Sequence, residues 1–123
     1  MKPDYQRAEQ KAKELRESGA DCPLQILRSI QNVAATSFAD ASARYGIDRG
    51  TLLSMFDSDN QDAITMFRNG SYLVIYNQEL PCRVIRNAVA RELGHIVMEH
   101  DGSRPEDVRM EEANYFAKKF LEV

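Results

Sequence analysis

Arg91-Glu92-Leu93-Gly94-His95 and Glu111-Glu112-Ala113-Asn114-Tyr115-Phe116-Ala117 are the two stretches whose residue types and spacing could do chemistry. In a zinc peptidase, two histidines at i and i+4 on one helix face grip the metal, and the glutamate after the first activates a metal-bound water. Here His95 stands at the second histidine position and Glu92 at the glutamate position, while Arg91 stands at the first histidine position. A guanidinium stays protonated and offers a metal no lone pair. The chain has 2 histidines, so a two-histidine, one-glutamate set must recruit His100. On a continuing helix His100 would lie about 140° around from His95 and point elsewhere. Near a helix C-terminus its partial positive charge is favourable.

The elements that must position these residues follow from local pattern. Residues 3–18 are rich in strong helix formers and end at Ser18-Gly19, a helix stop. A second helix starts at Asp21-Cys22-Pro23, with Leu24, Leu27, Ile30 and Val33-Ala34 facing inward. Helical segments are expected over 38–45 and from 48 or 49 to 56, with a turn at Gly46. The period then changes. Residues 63–67 and 71–76 are β-branched and aromatic runs joined through Arg68-Asn69-Gly70, a hairpin signal because Asn-Gly tolerates the positive φ of a type I′ turn. Two strands are marginal alone, so the hairpin must lie on helices or on a further strand. Ile85, Val89, Leu93, Ile96 and Val97 form the apolar face of a helix over 83–100. Gly94 costs that helix about 1 kcal/mol relative to alanine, which implies a close neighbour. Ser103-Arg104-Pro105-Glu106 reads as a capping box before a last helix in which Val108, Ala113, Phe116, Ala117, Phe120 and Leu121 face the core. Glu112, four residues from both Val108 and Phe116, lies on that apolar side, whereas Glu111 lies on the flank facing water.

Together Val74-Ile75-Tyr76-Asn77, Ala90-Arg91-Glu92-Leu93-Gly94-His95-Ile96-Val97 and Glu112-Ala113-Asn114-Tyr115-Phe116-Ala117 resemble the ImmA/IrrE family of zincin-like metallopeptidases, over residues 38–121. Members typically carry H-E-L-G-H followed by E-A-N-x-F-A. The resemblance implies an α+β, zincin-like small domain with N-terminal helices, a β-hairpin sheet, and a motif helix followed by a C-terminal helix. It makes His95 a zinc ligand, Glu92 the general base and Glu112 the third ligand, and it makes Arg91 the departure. Arg91 is expected to fill the vacated metal space and pair with Glu112, near Glu92, a role its two parallel hydrogen bonds suit. The implied protein is a degenerate, inactive or weakened peptidase that acts by binding a protein or peptide. The resemblance also suggests mobile-element context and a helix-turn-helix repressor as partner. Strand 71–76 is the candidate edge for strand addition.

Two other readings stand beside this one. An active zinc endopeptidase would use His95 and Glu112 with His100 or Asp101 and water as a non-standard ligand set. Alternatively, residues 38–56 have the small-residue, turn-glycine spacing of a helix-turn-helix. Between 38 and 60, however, Arg44 and Arg49 face Asp40, Asp48, Asp57 and Asp59, a poor surface for phosphates. These helices are read as a structural pair, and nucleic acid is not the expected partner. For His95 and Glu92 the competing structural reading is a buried, hydrogen-bonded histidine and a salt-bridged helix carboxylate. Tyr72, Tyr76, Phe116 and Phe120 read as core or rim.

Length and composition agree with a single domain over 1–123, in which 1–36 is an N-terminal helical extension. The hydrophobic content is 43% and the net charge −3, with both signs mixed along the chain. Cys22 and Cys82 match no C-x-x-C pattern and are read as reduced, packed thiols. The start, Met1-Lys2-Pro3-Asp4-Tyr5-Gln6, lacks the apolar run of a signal peptide. No stretch approaches the roughly 18 apolar residues a span needs, so a cytoplasmic location is expected. No cofactor is favoured, and zinc is the one the motif would admit.

Overall fold

The computed structural model describes residues 1–54, 62–100 and 103–122. In chain order they form α1 (Tyr5–Glu17), α2 (Pro23–Ser29), β1 (Val33–Ser37), α3 (Phe38–Tyr45), α4 (Arg49–Ser54), β2 (Ala63–Arg68), β3 (Ser71–Tyr76), α5 (Cys82–Val97) and α6 (Glu106–Leu121). This is the α+β class the sequence implies.

The hairpin forms as its turn dictates. Asn69 and Gly70 take φ of 54° and 76°, the two positive angles of a type I′ turn. They bring Arg68 opposite Ser71 and Ala63 opposite Tyr76 in antiparallel register. The further strand the hairpin needs is β1, which runs parallel to β3 from Val33 opposite Tyr72 to Ser37 opposite Tyr76. The sheet order is therefore β1-β3-β2. Two expectations are corrected here. Residues 33 and 34 do not extend the second helix: α2 ends at Ser29, Asn32 reverses the chain at φ 66°, and the β-branched Val33 and Thr36 enter the sheet. The N-terminal region is thus not helical throughout. Strand 71–76 is the central strand rather than an edge; the edges are β1 and β2.

Side chains alternate across the sheet. Tyr72, Val74 and Tyr76 stand on one face with the helical core of Val89, Leu93, Ile96, Phe116 and Phe120. Ala8 and Ala12 of α1 are completely buried in that same core. On the opposite face Ile75, Ile64, Met66 and Leu73 meet Phe38 and Ala41 of α3. That packing favours the structural reading of α3. Its partner α4 is described as far as Ser54, so the expected continuation to 56 lies outside the described residues. Phe116 and Phe120 are core, and Tyr72 and Tyr76 are half-buried against it. Cys22 is half-buried, but Cys82, the first residue of α5, is exposed rather than packed. No described helix is long and apolar enough to cross a membrane.

The two long helices cross closely at Gly94. A Cβ there would stand 3.0 Å from Phe116 Cδ1 and 3.1 Å from both the Cα and the carbonyl oxygen of Ala113. The contact is with backbone, which yields only if α6 shifts. Gly94→Ala gains about 1 kcal/mol of helix propensity, but overpacking of this kind costs about 1–3 kcal/mol. Urea unfolding should register a net loss of stability; an unchanged or raised midpoint would show that α5 and α6 can part at no cost.

Candidate functional site

Three elements build the site: α5 supplies Arg91, Glu92 and His95; the turn after it supplies His100; α6 supplies Glu112. What brings His100 back is the way α5 stops. Met98 caps the helix, Glu99 takes φ 57°, the Glu99 N–H donates to Ile96 O at 3.0 Å, and the His100 N–H donates to His95 O at 2.8 Å. This pair of bonds is the Schellman motif, here with a non-glycine residue in the left-handed position. The helix therefore ends at Val97 and not at 100, and the reversal returns His100 to the side of His95. The expected capping box does not form: Pro105 is the N-cap of α6 and gives no side-chain cap bond. Arg104 is free for another role.

Arg91 closes the first half of the site. Its Nη2 donates to Asp62 Oδ1 at 2.9 Å, to Glu92 Oε1 at 2.8 Å and to Ala63 O at 3.2 Å; its Nε donates to Glu92 Oε1 at 3.2 Å. Thr65 Oγ1 donates to the other Glu92 oxygen at 2.6 Å. The guanidinium thus ties α5 to the start of β2. The expected Arg91–Glu112 pair is corrected to Arg91–Glu92 and Arg91–Asp62. Asp62 and the Ala63 carbonyl stand within reach of Arg91, and Glu112 is satisfied by donors of its own. Burial tends to raise the Glu92 carboxyl, and Arg91 and Thr65 only partly offset it, so it stays above the usual carboxylate range. Burial tends to lower Arg91, but Asp62 and Glu92 outweigh it and hold the guanidinium above its usual value.

Glu112 closes the second half, fully buried on the core side of α6 as its spacing implies. Its Oε2 accepts from the Asp4 backbone N–H at 2.7 Å and from Arg104 Nη2 at 3.0 Å. Its Oε1 meets His100 Nε2 at 2.9 Å, and His100 Nδ1 meets His95 Nδ1 at 2.8 Å. Glu111, by contrast, is exposed and accepts from Tyr5 Oη at 2.8 Å. Burial pushes both histidines toward neutrality: His95, with His100, Arg91 and Arg109 nearby, goes from 6.5 down to about 3, and His100 is lowered although Glu112 opposes the shift. With both rings neutral and a carboxylate that only accepts, His100 donates from Nε2. Its Nδ1 must then accept from His95 Nδ1–H. Among the described residues, the Glu112–His100–His95 chain leaves His95 Nε2 as the uncommitted ring nitrogen.

This geometry does not fit the zinc set the motif admits. His95 Nε2 can still coordinate, but Arg91 offers no lone pair, both His100 nitrogens are engaged, and the Glu112 oxygens hold three donors. Among the described residues no group of three or more His, Cys, Asp or Glu side chains is disposed to hold a metal ion. Asp101, the other accessory candidate, lies outside the described residues. No motif points to Asp62, Thr65, Arg104 or the Asp4 amide. Thr65 alone carried a signal, as a polar residue on the strand face that also bears Ala63 and Val74.

Comparisons of the chain with protein-family models, with curated proteins and with solved structures find no match.

Two outcomes follow from the site. Arg91→Ala leaves Glu92 and Asp62 together without their cation, and loss of one partner from a buried pair costs on the order of 3 kcal/mol. Thermal melting should show that loss, and Arg91→Ala combined with Glu92→Gln should recover part of it; a single variant that melts like the parent would mean the clamp carries no stability. The histidines set the acid limb. Both have depressed values in the fold, so the unfolded chain binds more protons between the ordinary 6.5 and, for His95, about 3. Stability therefore falls as pH drops below the ordinary value, by at most about 1.4 kcal/mol per pH unit per histidine. Glu92, raised in the fold, contributes in the opposite sense, so the comparison to make is His95→Ala against the parent. The variant's unfolding free energy should fall less steeply with acid; parallel curves would mean His95 is not held neutral.

Proposed function

We propose that this chain is a zincin-like, ImmA/IrrE-type scaffold with an incomplete zinc site that acts by binding a protein or peptide rather than by hydrolysis. The observation that carries this reading is the Arg91 clamp: the side chain at the first ligand position holds the carboxylate at the general-base position, with Glu92 Oε1 2.8 Å from Arg91 Nη2. A glutamate so engaged is poorly placed to take a proton from water. The contact surface is the edge of β2 that no other described strand pairs. Asn77 N–H donates to Asp62 O at 2.8 Å, so Asp62, Ile64, Met66 and Arg68 turn their backbone groups toward β3, and Ala63, Thr65 and Phe67 turn theirs outward. Asp62 and Arg91 cover the Ala63 groups, at 2.8 and 3.2 Å. Thr65 and Phe67 then present their backbone N–H and C=O groups to an added strand. The resemblance suggests a repressor of helix-turn-helix type as the partner, in a mobile-element setting and in the cytoplasm.

Two measurements test this reading. Titration of metal-free protein with zinc, followed calorimetrically, should give no stoichiometric binding. Stoichiometric zinc lost in His95→Ala, with cleavage of a denatured protein substrate, would replace the proposal with a working peptidase. Extended peptides selected for binding should lose affinity when alternate peptide amides are N-methylated, because strand addition needs those donors. Binding that tolerates N-methylation would remove β2 as the contact.

A further inference from the structure

Away from the buried clusters, α5 and α6 border an open cleft of about 470 Å³ beside Arg91. Its walls are two stripes of identical spacing. Val84, Asn87, Ala88 and Arg91 line one helix, and Asn114, Ala117, Lys118 and Leu121 line the other, with Asp62 at the end. Positions i, i+3, i+4 and i+7 share one face of a helix, so each helix turns one continuous stripe into the cleft. The chemistry sorts by position within the stripes. Val84, Ala88, Ala117 and Leu121 supply an apolar wall. Asn87 and Asn114, both exposed, make no hydrogen bond to another described residue, and Lys118 has no ion pair among the described residues. The lining carries two cations, Arg91 and Lys118, against one carboxylate, Asp62, and that carboxylate is already bonded to Arg91 at 2.9 Å. The cation left uncommitted is Lys118.

We propose that this cleft binds the C-terminal carboxylate of a peptide that ends in an aliphatic residue. Lys118 pairs with the carboxylate, the Asn87 and Asn114 side-chain amides hydrogen-bond the last peptide group, and the aliphatic side chain covers the half-buried Val84 and Leu121. A few placed polar groups around an apolar surface are what such a ligand requires. Charge selects the acid: a neutral amide end gives Lys118 nothing to pair with, and an amine end meets the Lys118 ammonium, while Arg91 is already met by Asp62 and Glu92. The site stands whether or not β2 accepts a strand, since none of its polar contacts uses a Thr65 or Phe67 backbone group.

The test uses the full chain, labelled with nitrogen-15, and two probes, N-acetyl-valyl-leucine and its C-terminal amide. Titration of the acid should move the Asn87 and Asn114 side-chain amide signals together with the backbone signals of Ala117 and Lys118. The acid should bind about tenfold more tightly than the amide, the worth of one charge-assisted hydrogen bond. Lys118→Gln, at an exposed position that leaves the fold intact, should erase that difference. The proposal fails if neither probe moves these signals, if acid and amide bind alike to the parent, or if Lys118→Gln keeps the preference for acid. Shifts confined to Thr65 and Phe67 would likewise overturn it, while supporting strand addition at β2.

Discussion

A carboxylate taken out of water must be met by charge-assisted hydrogen bonds or give up its charge. This chain buries two on adjacent helices, Glu92 of α5 and Glu112 of α6, with side-chain exposures of 4% and 0%. Much of the arrangement around them can be read as the means by which each is satisfied. Glu92 takes Arg91 from its own helix and Thr65 from β2, and Arg91 in turn recruits Asp62 and the Ala63 carbonyl. Helix and sheet edge are thereby tied at the point where β2 begins. Glu112 takes Arg104 from the preceding loop, His100 from the turn after α5 and the Asp4 amide from the start of α1. Three segments, the N-cap of α1, the turn after α5 and the loop before α6, converge on one side chain.

The two halves differ in how they meet the charge. Around Glu92 a full positive charge lies beside two carboxylates, and burial still holds the Glu92 carboxyl above its usual range. Around Glu112 one arginine supplies the cation and neutral donors supply the rest, because burial keeps both histidines uncharged. The Schellman reversal makes the second solution possible. Had α5 continued straight to 100, His100 would have faced away from both His95 and Glu112. Holding Glu99 in the left-handed region, which disfavours residues with a Cβ, is the local cost of that reversal.

Features that depend on neighbours in sequence were legible; those that depend on which segments meet in space were not. The Asn69-Gly70 hairpin, the apolar stripe of α5, the core placement of Glu112 and the close approach at Gly94 all follow from period, turn chemistry or helix propensity. Strand β1 is hard to read from sequence because five residues flanked by helices carry little periodicity, and Val33-Ala34 could equally extend a helical stripe. Its identity is fixed by parallel pairing with β3, a contact between residues far apart in the chain. For the same reason β3 read as an edge although it is central. At the site, the residues to watch were legible but their partners were not. A guanidinium is long enough to reach several carboxylates, and the sequence cannot rank Glu112 against Asp62 when neither is near in the chain.

Arginine at position 91 therefore does more than withhold a lone pair from a metal. Alanine at that position would leave Glu92 and Asp62 close together without a cation, and lysine would offer a single point charge where the geometry calls for a fork. Arginine supplies donors in three directions from one planar group, to a helix carboxylate, a loop carboxylate and a strand carbonyl. The same contact that ties α5 to β2 covers the outward carbonyl of Ala63, so the edge left unpaired among the described residues starts at Thr65. On the proposed reading, one residue both keeps the glutamate from hydrolytic chemistry and sets where an added strand can begin. Loss of catalysis and retention of a binding edge are then consequences of a single interaction.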